Sequence, residues 1–209
     1  MTHQLIPRPF WNDGGPLIIV PQAAIESWEG SDAPSGRRKV DAVFRWRDPD
    51  APACDYDRAC DVDPENAGAL DIGGSWGIVI GTAAAQSAQW LPGSEPREFY
   101  AVGIEAADDT APDRLRVLAS TSAQWRILRE RVAIGPEGLL LTHAASRLPE
   151  VRELPAMMAA TDGKIVAALI GDGLRHVVPS GEYSVSTRDV STSGGEYLTF
   201  IRFTRASAA

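Results

Sequence analysis

Glu182-Tyr183-Ser184-Val185-Ser186-Thr187-Arg188 and Glu196-Tyr197-Leu198-Thr199-Phe200-Ile201-Arg202-Phe203, with Ser193-Gly194-Gly195 between them, decide the fold class. Apolar and polar residues alternate, aromatic and β-branched types dominate, and the glycines suit a reversal, as expected of two paired strands with one buried face. The same pattern extends upstream. Lys164 to Ile170 and Leu174 to Val178 are strand-like, broken by Gly171-Asp172-Gly173 and followed by Pro179-Ser180-Gly181. Toward the N-terminus, Gly14-Gly15-Pro16 turns into a buried strand from Leu17 that Pro21 stops. Ala69 to Ile72 and Trp76 to Ile80 form a predicted hairpin about Gly73-Gly74-Ser75, and Glu98 to Ile104 a further strand. Gln124 to Ile134 and Leu139 to His143 read as a second hairpin about Gly135-Pro136-Glu137-Gly138. Val40 to Trp46 reads as an edge strand inside the loop from Ser31 to Pro52. Helical patterns are short: Ala23 to Trp28, Asp55 to Cys60, and a helix capped by Thr110 that runs to about Ala119, with Pro112 in its first turn and Leu115 and Leu118 inward. The expected fold is mostly β (α+β), antiparallel sheets forming a sandwich or partly rolled sheet with two or three short helices.

The 209 residues are enough to bury a substantial core, either as one domain over 1–209 or as two packed β modules at about 10–105 and 106–205. Twenty Lys and Arg against 28 Asp and Glu give a net charge of -8. That balance disfavours nucleic acid and anionic membranes, and a charged partner should be basic. The longest apolar run near the N-terminus, Leu17 to Val20, is too short for a signal peptide or a membrane span, so a cytoplasmic location is expected.

The sequence offers no familiar chemistry. His3, His143 and His176 lie in no metal-ligand or nucleophile–base spacing, and there is no Gly-x-Ser-x-Gly elbow, phosphate loop or dinucleotide fingerprint. No catalytic residue, metal ligand or cofactor is expected. Cys54 and Cys60, six apart, would point about 240° away from each other on a helix, and read as core thiols, with a disulfide as the alternative. Between Asp48 and Asp71 stand Asp48, Asp50, Asp55, Asp57, Asp61, Asp63, Glu65 and Asp71 against one base, Arg58. Asp61-x-Asp63-x-Glu65 begins like a calcium loop, but the glycine that loop needs is absent before Ala67, Pro64 restricts the backbone, and the closing Glu is missing. Two other readings are an anionic surface that meets a basic partner, and a solvated loop with helix-end carboxylates. Of the six tryptophans, Trp11, Trp28, Trp46, Trp76, Trp90 and Trp125, most suit the core, with Trp46 and Trp90 as candidate exposed anchors.

Trp11 followed by Gly14-Gly15-Pro16-Leu17-Ile18, then Trp28-Glu29-Gly30, then Asp55-Tyr56-x-Arg58-Ala59-Cys60, then Val79-Ile80-Gly81, together resemble the immunity protein 21 family. The resemblance is clearest from Trp11 to Gly81, and the stretch from Ser31 to Pro52 does not align with it. It implies a mostly β protein, encoded beside a bacterial polymorphic toxin, that binds and silences that toxin. On that reading the candidate toxin contacts are Asp48, Asp50, Asp55, Asp57, Asp61, Asp63, Glu65, Trp46 and Trp90. The matched Gly, Trp and Cys positions look architectural, with Tyr56 or Cys60 packed beneath the Gly-Gly-Pro-Leu turn. Two other classes stand beside this one: a small β-rich hydrolase or ligand-binding protein with a carboxylate in a cleft of the sheet, and a self-associating subunit of a larger assembly.

Overall fold

The computed structural model describes residues 10–11, 14–32, 40–63, 66–81, 86–106, 111–121, 124–148, 166–170 and 173–207. In chain order these form β1 (Phe10–Trp11), β2 (Leu17–Pro21), a 3₁₀ helix (Gln22–Ser27), α1 (Asp55–Asp61), β3 (Ala67–Ile72), β4 (Ser75–Ile80), β5 (Ser87–Pro92) and β6 (Glu98–Ala106). Then come α2 (Pro112–Ser120), β7 (Arg126–Ile134), β8 (Leu139–His143), β9 (Val166–Ile170), β10 (Gly173–Val177), β11 (Gly181–Ser191) and β12 (Tyr197–Arg205). The strands make two antiparallel sheets: sheet A in the order β1-β5-β6-β12-β11-β7, and sheet B in the order β3-β4-β2-β8-β10-β9. The mostly β, sandwich-like expectation holds.

Period-two alternation builds the layers. Leu17 and Ile19 of β2, Ile78 and Ile80 of β4, and Leu139 and Leu141 of β8 face sheet A, meeting Trp90, Phe99, Val132, Val185, Ile201 and Phe203. The intervening Ile18, Val20, Val79 and Leu140 face outward and are covered by Ile25, Trp28 and Ala59. On the far side of sheet A, Tyr100, Val102, Leu198 and Phe200 are covered by Leu115 and Ala119 of α2. Each sheet therefore has one face on its partner and one under a short helical cover. Between the sheets Phe99 stacks on Phe203 with ring centroids 4.7 Å apart, and His176 lies between Trp90 and Phe99, 4.9 Å from each.

Local turns follow the sequence where the predicted hairpins form. β3 and β4 join through Gly73 and Gly74 at φ 62° and 88°, the two left-handed residues that a two-residue hairpin of the favoured twist requires. β11 and β12 pair from Tyr183↔Arg205 to Ser191↔Tyr197.

Three expectations need correction, and one strand went unforeseen. β7 and β8 do not form a hairpin: β7 pairs with β11 in sheet A, whereas β8 pairs with β2 and β10 in sheet B. Val132, Ile134, Leu139 and Leu141 all point into the space between the sheets, so the chain arches across that space instead of folding back in one plane. Gly138, at φ 83°, makes the arch possible, since a Cβ there would lie 2.1 Å from the His176 carbonyl oxygen. Val40 to Trp46 forms no strand, because backbone amides along it are bonded to side chains of α1. The N-cap of α2 is Ala111, without a side-chain cap; Thr110 lies outside the described residues, as do His3 and Lys164. β5 is a strand that alternation did not reveal, because its polar Ser87 and Gln89 are buried along with Ala88 and Trp90.

Candidate functional site

Asp57 and Asp61 stand four residues apart on α1, so they share one face of that helix. A like-charged i,i+4 pair costs a helix a few tenths of a kcal/mol, and Asp61 at the C-terminal end also opposes the helix dipole. Backbone amides of the preceding loop offset this. Asp61 accepts from the N–H of Val43 through Oδ2 and from that of Phe44 through Oδ1, the latter at 2.8 Å. Asp57 Oδ1 accepts from the N–H of Trp46 at 3.0 Å, while its Oδ2 accepts from the N–H of Cys54, the N-cap residue, at 2.9 Å. The amides of Val43, Phe44 and Trp46 are thus bonded to helix carboxylates in place of a neighbouring strand. That is why the alternating Val40–Trp46 run is not a strand.

The result is a pinned, irregular segment with apolar side chains facing water. Val43 is 94% exposed, Trp46 52% and Phe44 44%. Trp46 also leans edge-on against Tyr56 of α1, with centroids 5.8 Å apart. Asp41, Arg47, Asp48 and Asp50 are exposed around them. Asp48 closes its own turn by accepting from the N–H of Asp50 at 2.9 Å.

The acidic run is therefore mostly internal wiring. Asp55 and Asp57, expected on an acidic surface, are buried. Asp55 Oδ2 accepts from the N–H of Glu29 at 2.9 Å, and its Oδ1 pairs with Arg58 at 3.0 Å. Arg58 continues to the Asp71 carbonyl at 2.6 Å, tying α1 to β3. Half-buried Asp63 accepts two bonds from the side-chain amide of Asn66, each 3.0 Å, and faces Arg126 at 3.9 Å. Glu65 lies outside the described residues. Among the described residues of the run, the exposed acids are Asp48, Asp50, Asp61 and Asp71, with Asp41 exposed just before it. Trp90 is also corrected: it is fully buried between the sheets, donating its indole N–H to the Leu174 carbonyl at 3.2 Å, and presents no surface. Of the two tryptophans singled out, only Trp46 is exposed.

The conspicuous sequence motifs hold the cover in place. Trp28 is fully buried and donates its indole N–H to the Ala144 carbonyl at 3.0 Å. Gly30, at φ 60°, lets the chain approach so closely that an added Cβ would lie 2.4 Å from the Ala145 carbonyl oxygen. Tyr56 packs its hydroxyl against Gly15, as the turn motif implied. Cys54 and Cys60 are free thiols. Burial pushes Cys60 up to about 11 and Tyr56 up to about 12, and raises Cys54 as well, so all three stay protonated at neutral pH.

Elsewhere an open cleft of about 330 Å³ is lined by Asp63, Asn66, Gln124, Arg126, Thr187, Arg188 and Asp189. Its charged groups are already engaged. Asp189 accepts from the Thr199 hydroxyl at 2.7 Å, and Arg188 donates to the carbonyls of Leu118 and Thr121 and packs its guanidinium 5.1 Å from the Trp125 ring centroid. Burial lowers the Arg188 pKa. Among the described residues, no three His, Cys, Asp or Glu side chains are grouped to hold a metal ion, and no helix is long and apolar enough to cross a membrane.

The family described as immunity protein 21 has a model that matches residues 10–196. No curated protein and no solved structure matches the chain.

Proposed function

We propose that this chain, which belongs to the immunity protein 21 family, binds the toxin encoded beside it and silences that toxin by occupying its surface, without changing a covalent bond. The family match over residues 10–196 carries this reading. The geometry supports it: polar groups are spent on holding a cover in shape, and large apolar side chains are left outward on a pinned loop. Exposed apolar side chains raise the cost of remaining in water, which association with a partner removes. The toxin is expected to be basic, since a net charge of -8 steers a cationic partner toward this one. The encounter takes place in the cytoplasm, and the chain acts as one unit.

The test is co-expression of the neighbouring gene with and without this chain in a sensitive host. Growth arrest that this chain relieves is the expected outcome. Arrest that persists at equal or higher levels of soluble chain would remove the proposal.

A further inference from the structure

We infer that the ridge Val43-Phe44-x-Trp46 is the centre of the docking surface, and that its occupant is an apolar cleft with a cationic rim on the toxin. This rests on the proposed toxin binding and names the surface through which it works. Trp and Phe are the side chains that carry binding energy when a cleft desolvates them, and a standard interface needs about 800 Å² per partner, with such anchors near its centre. The ridge supplies the anchors. It projects from the cover of sheet B, and Asp41, Asp48, Asp50 and Asp61 stand around it where an interface has its polar rim. Among the described residues, exposed Arg47 and half-buried Arg45 stand against these four acids, so the described rim is acidic on balance, in line with the net charge. Ile127, 74% exposed on the edge strand β7, stands instead among the exposed bases Arg126, Arg129 and Arg131.

Asp57 and Asp61 are positioning residues for this surface. They fix the loop backbone before the partner arrives, so less conformational entropy is lost on binding. The sequence carried the signal as two aspartates at helical spacing, one turn apart, with no base at i±4 to pair them.

The experiment uses the full chain and the purified toxin, with association followed by surface-based kinetics and stability by thermal melting. For Phe44→Ala/Trp46→Ala, affinity should fall at least about 30-fold with the melting temperature moved by less than about 2 °C. Ile127→Ala should leave affinity within about twofold. Asp48→Lys/Asp50→Lys should slow association roughly tenfold and flatten its salt dependence, while Asp61→Ala should speed hydrogen exchange at Val43 and Phe44 and weaken binding at an unchanged melting temperature. The docking surface is overturned if the unsubstituted chain binds and Phe44→Ala/Trp46→Ala binds as tightly. It is equally overturned if Ile127→Ala loses as much affinity, or if the two lysines speed association. An unsubstituted chain that fails to bind the toxin overturns the functional reading and the surface together.

Discussion

The two outer covers of the sandwich solve the same problem with opposite charges. Over sheet A, the buried cation Arg188 donates to the carbonyls of Leu118 and Thr121 at the C-terminal end of α2, where a positive charge also suits the helix dipole. Over sheet B, the carboxylates of Asp55, Asp57 and Asp61 accept from the backbone amides of Glu29, Cys54, Trp46, Phe44 and Val43. The cation closes its cover, drawing Trp125 and Phe200 onto itself. The anions hold a loop in a shape that no sheet or helix bonding would give it, and three of its apolar side chains end up outside. Similar architecture with reversed polarity thus yields one cover drawn in around its cation and one that holds a loop outward.

Removing what both covers rest on should have the largest effect. Trp90→Ala empties a fully buried site in the shared core and should cost about 3–5 kcal/mol in denaturant unfolding, with both covers loosened. Arg188→Ala should cost about 1–3 kcal/mol by leaving the carbonyls at the end of α2 without their donor; hydrogen exchange should quicken in α2 and stay unchanged at Phe44 and Trp46. Asp57→Ala should cost about 1–2 kcal/mol and give the reverse exchange pattern. If either substitution loosens both covers equally, the contrast between them fails.

Alkylation sharpens the contrast further. With Cys60 raised to about 11, its thiolate fraction at pH 8 is about a hundredfold below that of a free thiol, and higher intrinsic nucleophilicity restores about a factor of ten. Native Cys60 should therefore react with iodoacetamide roughly tenfold more slowly than in the unfolded chain, and a native rate equal to the unfolded rate would show the cover to be open. Because the folded pKa is raised, the unfolded chain ionises first. The contribution of Cys60 to stability is present below pH 9 and is lost as pH rises toward 11. The smallest stability effect belongs to the presenting loop: Trp46→Ala should change unfolding free energy by less than about 0.5 kcal/mol, since half of that side chain is already in water.

What could be read in advance follows from the range of the physics. Glycine pairs, period-two alternation and helical spacing are all local, and they located β3, β4, β11 and β12 and the short helices. The partner of each strand is not local. Nothing in Gln124–His143 distinguishes an arch from a hairpin, because inward-facing alternation looks the same whether the two runs share a sheet or oppose each other. In β5, buried Ser87 and Gln89 erase the alternation altogether. The site shows the same division. The acidic run was visible, but the internal use of Asp55, Asp57 and Asp63 depends on amides and cations brought in from Glu29, Cys54, Trp46, Asn66 and Arg126. The flanks of the two tryptophans did differ: Arg45 and Arg47 enclose Trp46, whereas Gln89 and Leu91 enclose Trp90.

Stoichiometry tests the claim of action by occupancy most directly. A fixed amount of purified toxin, titrated with this chain, should lose activity in proportion to the chain added, reach its minimum at one equivalent, and regain activity when the complex is separated. Inactivation that proceeds with time at a small fraction of an equivalent, and persists after separation, would show that the chain turns over a covalent change and would contradict the account.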